Sequence, residues 1–308
     1  MDLRQLSALL AVADHGTFSA AARALHTVQS NVSTHVARLE RELGVTLVDR
    51  ANSTITEEGR VVVDRARRIR AELEALSSDV ASMHDEITGS ARVGVIGTTA
   101  RWLVPILFDR LSKEHPNVRL VVVDATTSML LPQLGRGEID LAVVNLPTED
   151  PDVLEEPLFD EDRVVIAPND HPLAAHTSLT LPVVAEHELL LAAVGTVFRA
   201  ELDSAAAAAG VTLRPKAEVD GLRLVASLAF QGFGVAIVPA SAAPDWLLSA
   251  GRWTRIPIVG MPMRSVGLVR RRRGLPSAAA RAVHTVIRDA VRAESAQQIG
   301  IHPTLDAA

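Results

Sequence analysis

Phe18-Ser19-Ala20-Ala21-Ala22-Arg23-Ala24-Leu25, the link His26-Thr27-Val28, and Gln29-Ser30-Asn31-Val32-Ser33-Thr34-His35-Val36-Ala37-Arg38-Leu39-Glu40-Arg41-Glu42-Leu43-Gly44 decide how this chain is to be read. The first run is a short, alanine-rich helix. In the second, Val32, Val36, Leu39 and Leu43 form one apolar stripe at helical spacing. Ser30, Asn31, Ser33, Thr34 and Arg38 lie on the opposite face. Gly44 stands where a helix commonly stops. Upstream, Leu3, Leu6, Leu10 and Ala13 predict a first helix, which His15-Gly16 breaks; Thr17 or Ser19 caps the next. Downstream, Val45 to Ile55 alternates as a small hairpin. Residues 1–58 therefore form a compact helical unit.

One helix follows, from Thr56 or Glu57 to Ile87. Its apolar residues are Val62, Ala66, Ile69, Leu73, Leu76, Val80, Met83 and Ile87, a heptad seam held over more than three heptads. The rest of its surface is rich in Arg, Asp and Glu. Such a narrow stripe predicts a coiled-coil partner, hence a dimer through Val62, Ile69, Leu73, Leu76 and Val80. The alternative is a helix lying on its own globular domain. The linker comprises residues 59–88.

Residues 89–308 alternate strand and helix, which predicts parallel sheets with helices on both faces. Strands are expected over Arg92–Gly97, Val118–Asp124, Ile139–Asn145, Arg163–Ala167, Lys216–Val219, Val235–Val238 and Ser265–Val269. Pro-rich stretches near 147–157 and 257–262 are loop candidates.

Composition narrows the function. Of 308 residues, 48% are apolar and 22% charged, an ordinary globular balance. No apolar run approaches the ~18 residues of a membrane helix, and Met1-Asp2-Leu3-Arg4 has no basic stretch leading into an apolar segment, so a secretory signal is not expected. There is no cysteine, so disulfides, thiolate chemistry and Cys-type zinc sites are excluded and a reducing cytoplasm is expected. The histidines are scattered without zinc spacing, and neither a Gly-x-Ser-x-Gly elbow nor a phosphate loop is present. No catalytic residue, metal or cofactor is expected. The net charge of −6 does not by itself advertise a nucleic-acid binder. Arg270 to Arg273 reads as a solvated loop, with a second DNA or partner contact as the outside alternative.

The N-terminal block resembles the winged helix-turn-helix domain of LysR-type transcriptional regulators. Phe18 to Leu25 matches the family's second helix. Gln29-Ser30, Val32-Ser33 and Arg38-Leu39-Glu40 match its recognition helix. Glu42-Leu43-Gly44-Val45-Thr46-Leu47, Arg50, Thr56 and Gly59 continue the pattern. In a major groove, Gln29 suits a bidentate contact to adenine, and Ser30 and Ser33 reach base edges or phosphates. Arg38 and Arg50 of the wing neutralise phosphates, and Ser19 holds one at a helix end. Asn31 and Thr34 complete the polar face; many family members carry Ala and Arg there, so operator preference is expected to differ. Residues 1–60 hold six arginines against seven acids, a net of −1. Binding then needs local clustering and several domains engaging together.

The remainder resembles the family's effector-binding domain, two α/β lobes like a periplasmic binding protein, joined by two crossing strands near Arg163–Ala167 and Arg264–Leu268. The first lobe takes residues 91–162 and 269–295; the second takes 163–265. The expected fold is thus α plus α/β, multidomain. Effector contacts are expected where strand ends meet helix starts, at Thr98, Thr99, Thr127 and Asn145 in the first lobe and Thr196 and Phe198 in the second, and at Phe233 between a helix and a strand. Arg101 and Arg199 are candidate positive charges for a small organic anion. The resemblance implies double-stranded DNA as partner and a homodimer assembling to a homotetramer, with no membrane. The competing expectation is a solute-binding or enzymatic α/β protein with a dimerisation arm and no specific DNA binding.

Overall fold

A computed structural model describes residues 1–82, 87–243 and 252–305. The N-terminal unit follows from its caps. Asp2 and Gln5 form a reciprocal capping box at the start of α1 (Leu3–His15), and Gly16 ends it in the left-handed region. Thr17, not Ser19, caps α2 (Phe18–Ala24) by accepting from the Ala20 amide. Recognition-type helix α3 (Gln29–Leu43) ends at Gly44, φ +72°. The wing is a short antiparallel pair, β1 (Val48–Asp49) and β2 (Thr54–Ile55). Leu9, Val12, Val32, Val36, Leu39, Leu47 and Val48 form the core with Val63 and Ala66 of α4 (Glu57–Ser82). Gly59 packs so closely on the wing that a Cβ there would lie 2.1 Å from the Leu47 carbonyl oxygen.

The linker helix α4 has two working faces. Ala66 is buried and Val62 partly buried in the N-terminal core, so the outward seam begins at Ile69. Ile69, Leu73, Leu76 and Val80 are 38, 41, 63 and 55% exposed. A different, polar flank lies on the chain's own first lobe. Arg68 Nε donates to Gly135 O at 2.8 Å, Ser78 Oγ to Thr88 O at 2.7 Å, and Asp79 accepts from the Ala278 amide and pairs with Arg281. Met83 lies outside the described residues. Ile87 is not helical; it packs on the first lobe's core, because the chain is already turning through Gly89 at φ +122° into a strand.

The first lobe's sheet is ordered β14-β6-β13-β5-β3-β4: β14 (Ile301–Pro303), β6 (Val153–Glu161), β13 (Arg264–Arg271), β5 (Leu141–Asn145), β3 (Gly89–Val95) and β4 (Val118–Asp124). The second is β10-β9-β11-β7-β12-β8: β10 (Arg214–Val219), β9 (Glu188–Ala192), β11 (Val235–Pro239), β7 (Arg163–Pro168), β12 (Trp253–Val259) and β8 (Leu179–Thr180). β3, β4 and β5 are parallel, as are β9, β10 and β11; the crossing strands β6, β7, β12 and β13 make antiparallel pairs. The chain crosses between lobes at Asp162 and again over 260–263, so the second sheet ends at Val259 and β13 already belongs to the first lobe from Arg264.

Proline misleads at two places. Both expected loops contain strand: β6 starts at Val153 and β12 runs through Pro257 to Val259. Pro157 is tolerated because the β6–β13 register shifts beside it, at a bulge that needs no amide there. β9 escapes periodicity because Leu189-Leu190-Leu191-Ala192 is buried on both faces. Among the described residues no helix is long and apolar enough to cross a membrane.

Gly59→Ala should lower stability by about 1–3 kcal/mol through overpacking against backbone, although alanine in a helix normally gains up to ~1 kcal/mol over glycine. Denaturant unfolding checks it; a gain would show that the wing yields freely.

Candidate nucleic-acid interface and effector cleft

α3 turns its apolar stripe inward and its polar face out. Ser19, Gln29, Ser30, Asn31, Thr34, Arg38 and Arg50 are exposed, and Ser33 is half-buried. Val28 caps the helix without a side-chain hydrogen bond, so its first amides stay open to an anion. Three contacts hold the face in shape. Ser19 Oγ donates to Gln29 Oε1 at 2.9 Å, which leaves the Gln29 amide nitrogen outward. Asn31 Nδ2 donates to Thr27 Oγ1 at 3.0 Å. Arg50 donates to Ser33 Oγ at 3.1 Å and Glu40 at 3.2 Å, with its guanidinium 5.6 Å from the Phe18 ring. Glu40 also accepts from the Leu47 and Val48 amides, fastening the wing to α3. Among the described residues, the side chains of Ser30, Thr34 and Arg38 have no hydrogen bond or ion pair.

The lobes meet along α5 (Gly97–Glu114), which packs on the 3-10 turn Ala240–Ala242 and on α9 (Leu222–Phe230). At the crossing, Arg264 and Glu161 form a buried ion pair, with Glu161 wholly inaccessible. Arg264 also donates to Thr98 Oγ1 at 2.9 Å, and the Ser241 amide donates to Glu161 at 2.8 Å. Arg163 donates to Pro262 O and pairs with Glu201. At the cleft mouth, Arg223 of α9 pairs with Asp124 of β4 at 2.5 Å, and both lie against Gly97, which has no side chain to hold them off. Between the lobes an open cavity of about 540 Å³ is lined by Ala100, Arg101, Val104, Asp124, Arg223 and Ser227, among others. Burial, with Arg223 nearby, holds the Arg101 guanidinium below its usual pKa.

The strand-end residues divide. β3, β4 and β5 are neighbours, so Thr98, Thr99, Thr127 and Asn145 gather at one carboxyl edge. Thr98 is committed to Arg264. Thr127 Oγ1 accepts from the Asn145 amide at 3.1 Å. Thr99 Oγ1 and Asn145 Oδ1 are buried without a partner. In the second lobe, Thr196 caps α8 (Val197–Ala208) and donates to Ala193 O. Two expectations fail. Phe198 points into the second lobe's core, under the Arg163 guanidinium. Phe233 lies at the opposite edge of its sheet. It precedes β11, whose start aligns with the start of β9, whereas Thr196 follows the end of β9. A helix-to-strand loop necessarily sits at the amino edge. Arg199 is no free charge either: Asp203, Glu218 and the Ala192 carbonyl hold it. Burial works against its charge, and those carboxylates overcome the penalty and raise its pKa.

Comparison with known proteins agrees with this geometry. Residues 3–60 match the family model of bacterial regulatory helix-turn-helix proteins, lysR family, and residues 84–292 match the LysR substrate binding domain. The chain belongs to the LysR family. It is a DNA-binding transcriptional regulator with an effector-binding domain, not an enzyme. It is 32% identical to the probable hydrogen peroxide-inducible genes activator of Mycobacterium leprae, with 94% of both chains covered. It is 28% identical to the transcriptional dual regulator OxyR of Escherichia coli over 95% of both. In structure it resembles a full-length OxyR variant from Pseudomonas aeruginosa, with a TM-score of 0.78 and 26% identity, covering 100% of this chain and 99% of that one.

Sequence reasoning missed the acidic half of this LysR cleft. Glu161 and Asp124 drew no notice because each looks like an ordinary strand-end acid. Arg223 sat inside an apolar helix pattern and Arg264 at a strand start. Only the pairing of distant strands brings these groups together.

Glu161→Ala should cost about 3–5 kcal/mol, because it strands a buried guanidinium. Chemical unfolding of the full chain is the check; a loss below about 1 kcal/mol would mean Arg264 finds another partner.

Proposed function

We propose that α3 enters the DNA major groove, with Gln29, Ser30, Asn31, Ser33 and Thr34 toward base edges and Arg38 and Arg50 toward phosphates. The observation that carries this is an exposed polar helix face, open at its amino end, braced from behind by Ser19, Glu40 and Phe18. Ser19 serves mainly to orient Gln29. The low net charge of residues 1–60 makes single-domain binding weak, so paired domains supply affinity.

Pairing runs through the exposed seam Ile69, Leu73, Leu76 and Val80, with Val62 at its edge, and two such dimers make a tetramer on DNA. The domains divide as 1–58, 59–88 and 89–308. The protein works in the cytoplasm.

The effector is a small organic anion held between the lobes. Thr99 and Asn145 offer unmet hydrogen-bonding atoms, Thr127 borders the same strand ends, Thr196 follows β9 in the second lobe, and Thr98 reports to the Arg264–Glu161 pair. Arg101, Arg223 and Asp124 line the mouth. The relatives named for hydrogen peroxide induction do not lend this chain a thiol switch, because it has no cysteine to oxidise. Ligand occupancy, by favouring one lobe arrangement, changes how the helices are presented to DNA.

Ser33→Ala combined with Arg38→Ala should weaken binding to genomic fragments enriched by the protein at least tenfold, since each lost contact is worth roughly 1–3 kcal/mol. Gel shifts read the affinity and sedimentation confirms unchanged assembly; unchanged affinity would refute the assignment of α3.

Ile69→Glu with Leu76→Glu should yield monomers in sedimentation and reduce operator affinity by more than tenfold, because avidity is lost. A dimer that survives both changes would place the interface elsewhere.

A further inference from the structure

The run Arg270–Arg273, expected as a solvated loop, begins as the end of β13 with Arg270 and Arg271 and only then leaves the sheet; it belongs neither to the DNA face nor to the cleft. It turns at Gly274, φ +88°, where a Cβ would lie 2.7 Å from Glu72 Oε1 of α4. Beside this turn, between α4 and the first lobe, lies a cavity of about 650 Å³. Its walls carry six arginines and three acids, a net of +3.

Two of the three acids are already engaged. Glu74 serves both Arg92, at 3.3 Å, and Arg70, at 4.0 Å. Asp140 accepts from the Arg92 amide, and burial pushes its carboxyl pKa up. Glu72 lies beside the Gly274 turn with no hydrogen bond or ion pair among the described residues, one carboxylate against the unpaired Arg119 and Arg273. Arg271 is held by the Leu134 and Ile139 carbonyls. Among the described residues, the Arg270 side chain reaches only the Arg271 carbonyl, at 3.5 Å. Arg119 and Arg273 have no hydrogen bond or ion pair among the described residues. Guanidinium groups converge on one cavity with too few carboxylates to answer them.

The cavity sits at the amino ends of β3, β4 and β5, where Thr88, Gly89, Ser90, Arg119 and Asp140 lie. The effector cleft is at the opposite ends of the same strands, about 20 Å away for strands of this length. Thr88-Gly89-Ser90 is also the joint between α4 and the sensor. Arg70 reaches the cavity from α4; Arg119, Arg270 and Arg273 reach it from the lobe.

We infer that this cavity is a second ligand site, for a small multivalent anion bearing phosphate groups, which bridges the linker helix and the first lobe across their joint. Guanidinium forks match phosphate oxygens in pairs. The volume exceeds a single phosphate and falls within the range of small-molecule sites. An occupant held from both sides restricts the angle between sensor and DNA-binding arm. It therefore acts on DNA presentation independently of the cleft.

The test uses the full chain and inorganic pyrophosphate at constant ionic strength. Thermal unfolding and calorimetric titration should show saturable binding, stronger than for sulfate. Arg119→Ser with Arg273→Ser, both exposed positions outside the DNA face and the cleft, should weaken that binding at least tenfold. Operator affinity without pyrophosphate should stay unchanged. Non-saturable or sulfate-equal effects would overturn the site, as would undiminished binding by the double variant. A loss of operator affinity in that variant without pyrophosphate would assign the arginines to DNA instead and equally end the proposal.

Discussion

Glu161 and Arg264 are 103 residues apart in the chain; Glu161 ends β6 and Arg264 begins β13, each beside a crossing between the lobes. Their buried pair binds the crossings together, and its neighbours belong to both lobes: Thr98 at the start of α5, Ser241 beyond β11. A charge pair this deeply buried is tolerable only when nearly every polar atom has a partner. The arrangement of the lobes is therefore constrained at this one point, and a ligand that engages the Thr98–Thr99 edge necessarily acts beside it. That closeness gives the cleft a physical route to changing lobe geometry.

The linker helix answers a second constraint. An apolar stripe and a polar flank on one helix must be satisfied by different surroundings. The polar flank is met within the chain, by Gly135, Thr88, Glu138 and the start of the C-terminal helix Ala278–Glu294. The stripe beyond Ala66 is not. The helix is thus tied to its own sensor along one side while presenting Ile69, Leu73, Leu76 and Val80 outward. The sensor and the N-terminal unit are joined through one rod, which packs on both.

At the DNA end, rigidity comes from small means. Glu40 gathers two wing amides and Arg50, and Arg50 braces Ser33 while covering Phe18. A helix whose two arginines are matched by two glutamates cannot rely on long-range attraction. Its usefulness rests on holding a particular set of short polar side chains in fixed positions, which this bracing does.

The sequence alone determined what depends on near neighbours along the chain. It set the apolar stripe of α3, the stops at Gly16 and Gly44, the hairpin wing, the seam from Ile69 to Val80 and the strand–helix alternation. These follow from backbone geometry within a few residues. It also determined that no thiol chemistry operates here. The tertiary structure alone decided which strand ends face each other. It buried Phe198, placed Phe233 at the far edge, drew Ile87 into the lobe core, neutralised Arg199 and matched Arg264 to Glu161. Those outcomes depend on sheet order and on partners many residues away, and helical or strand periodicity carries no information about either.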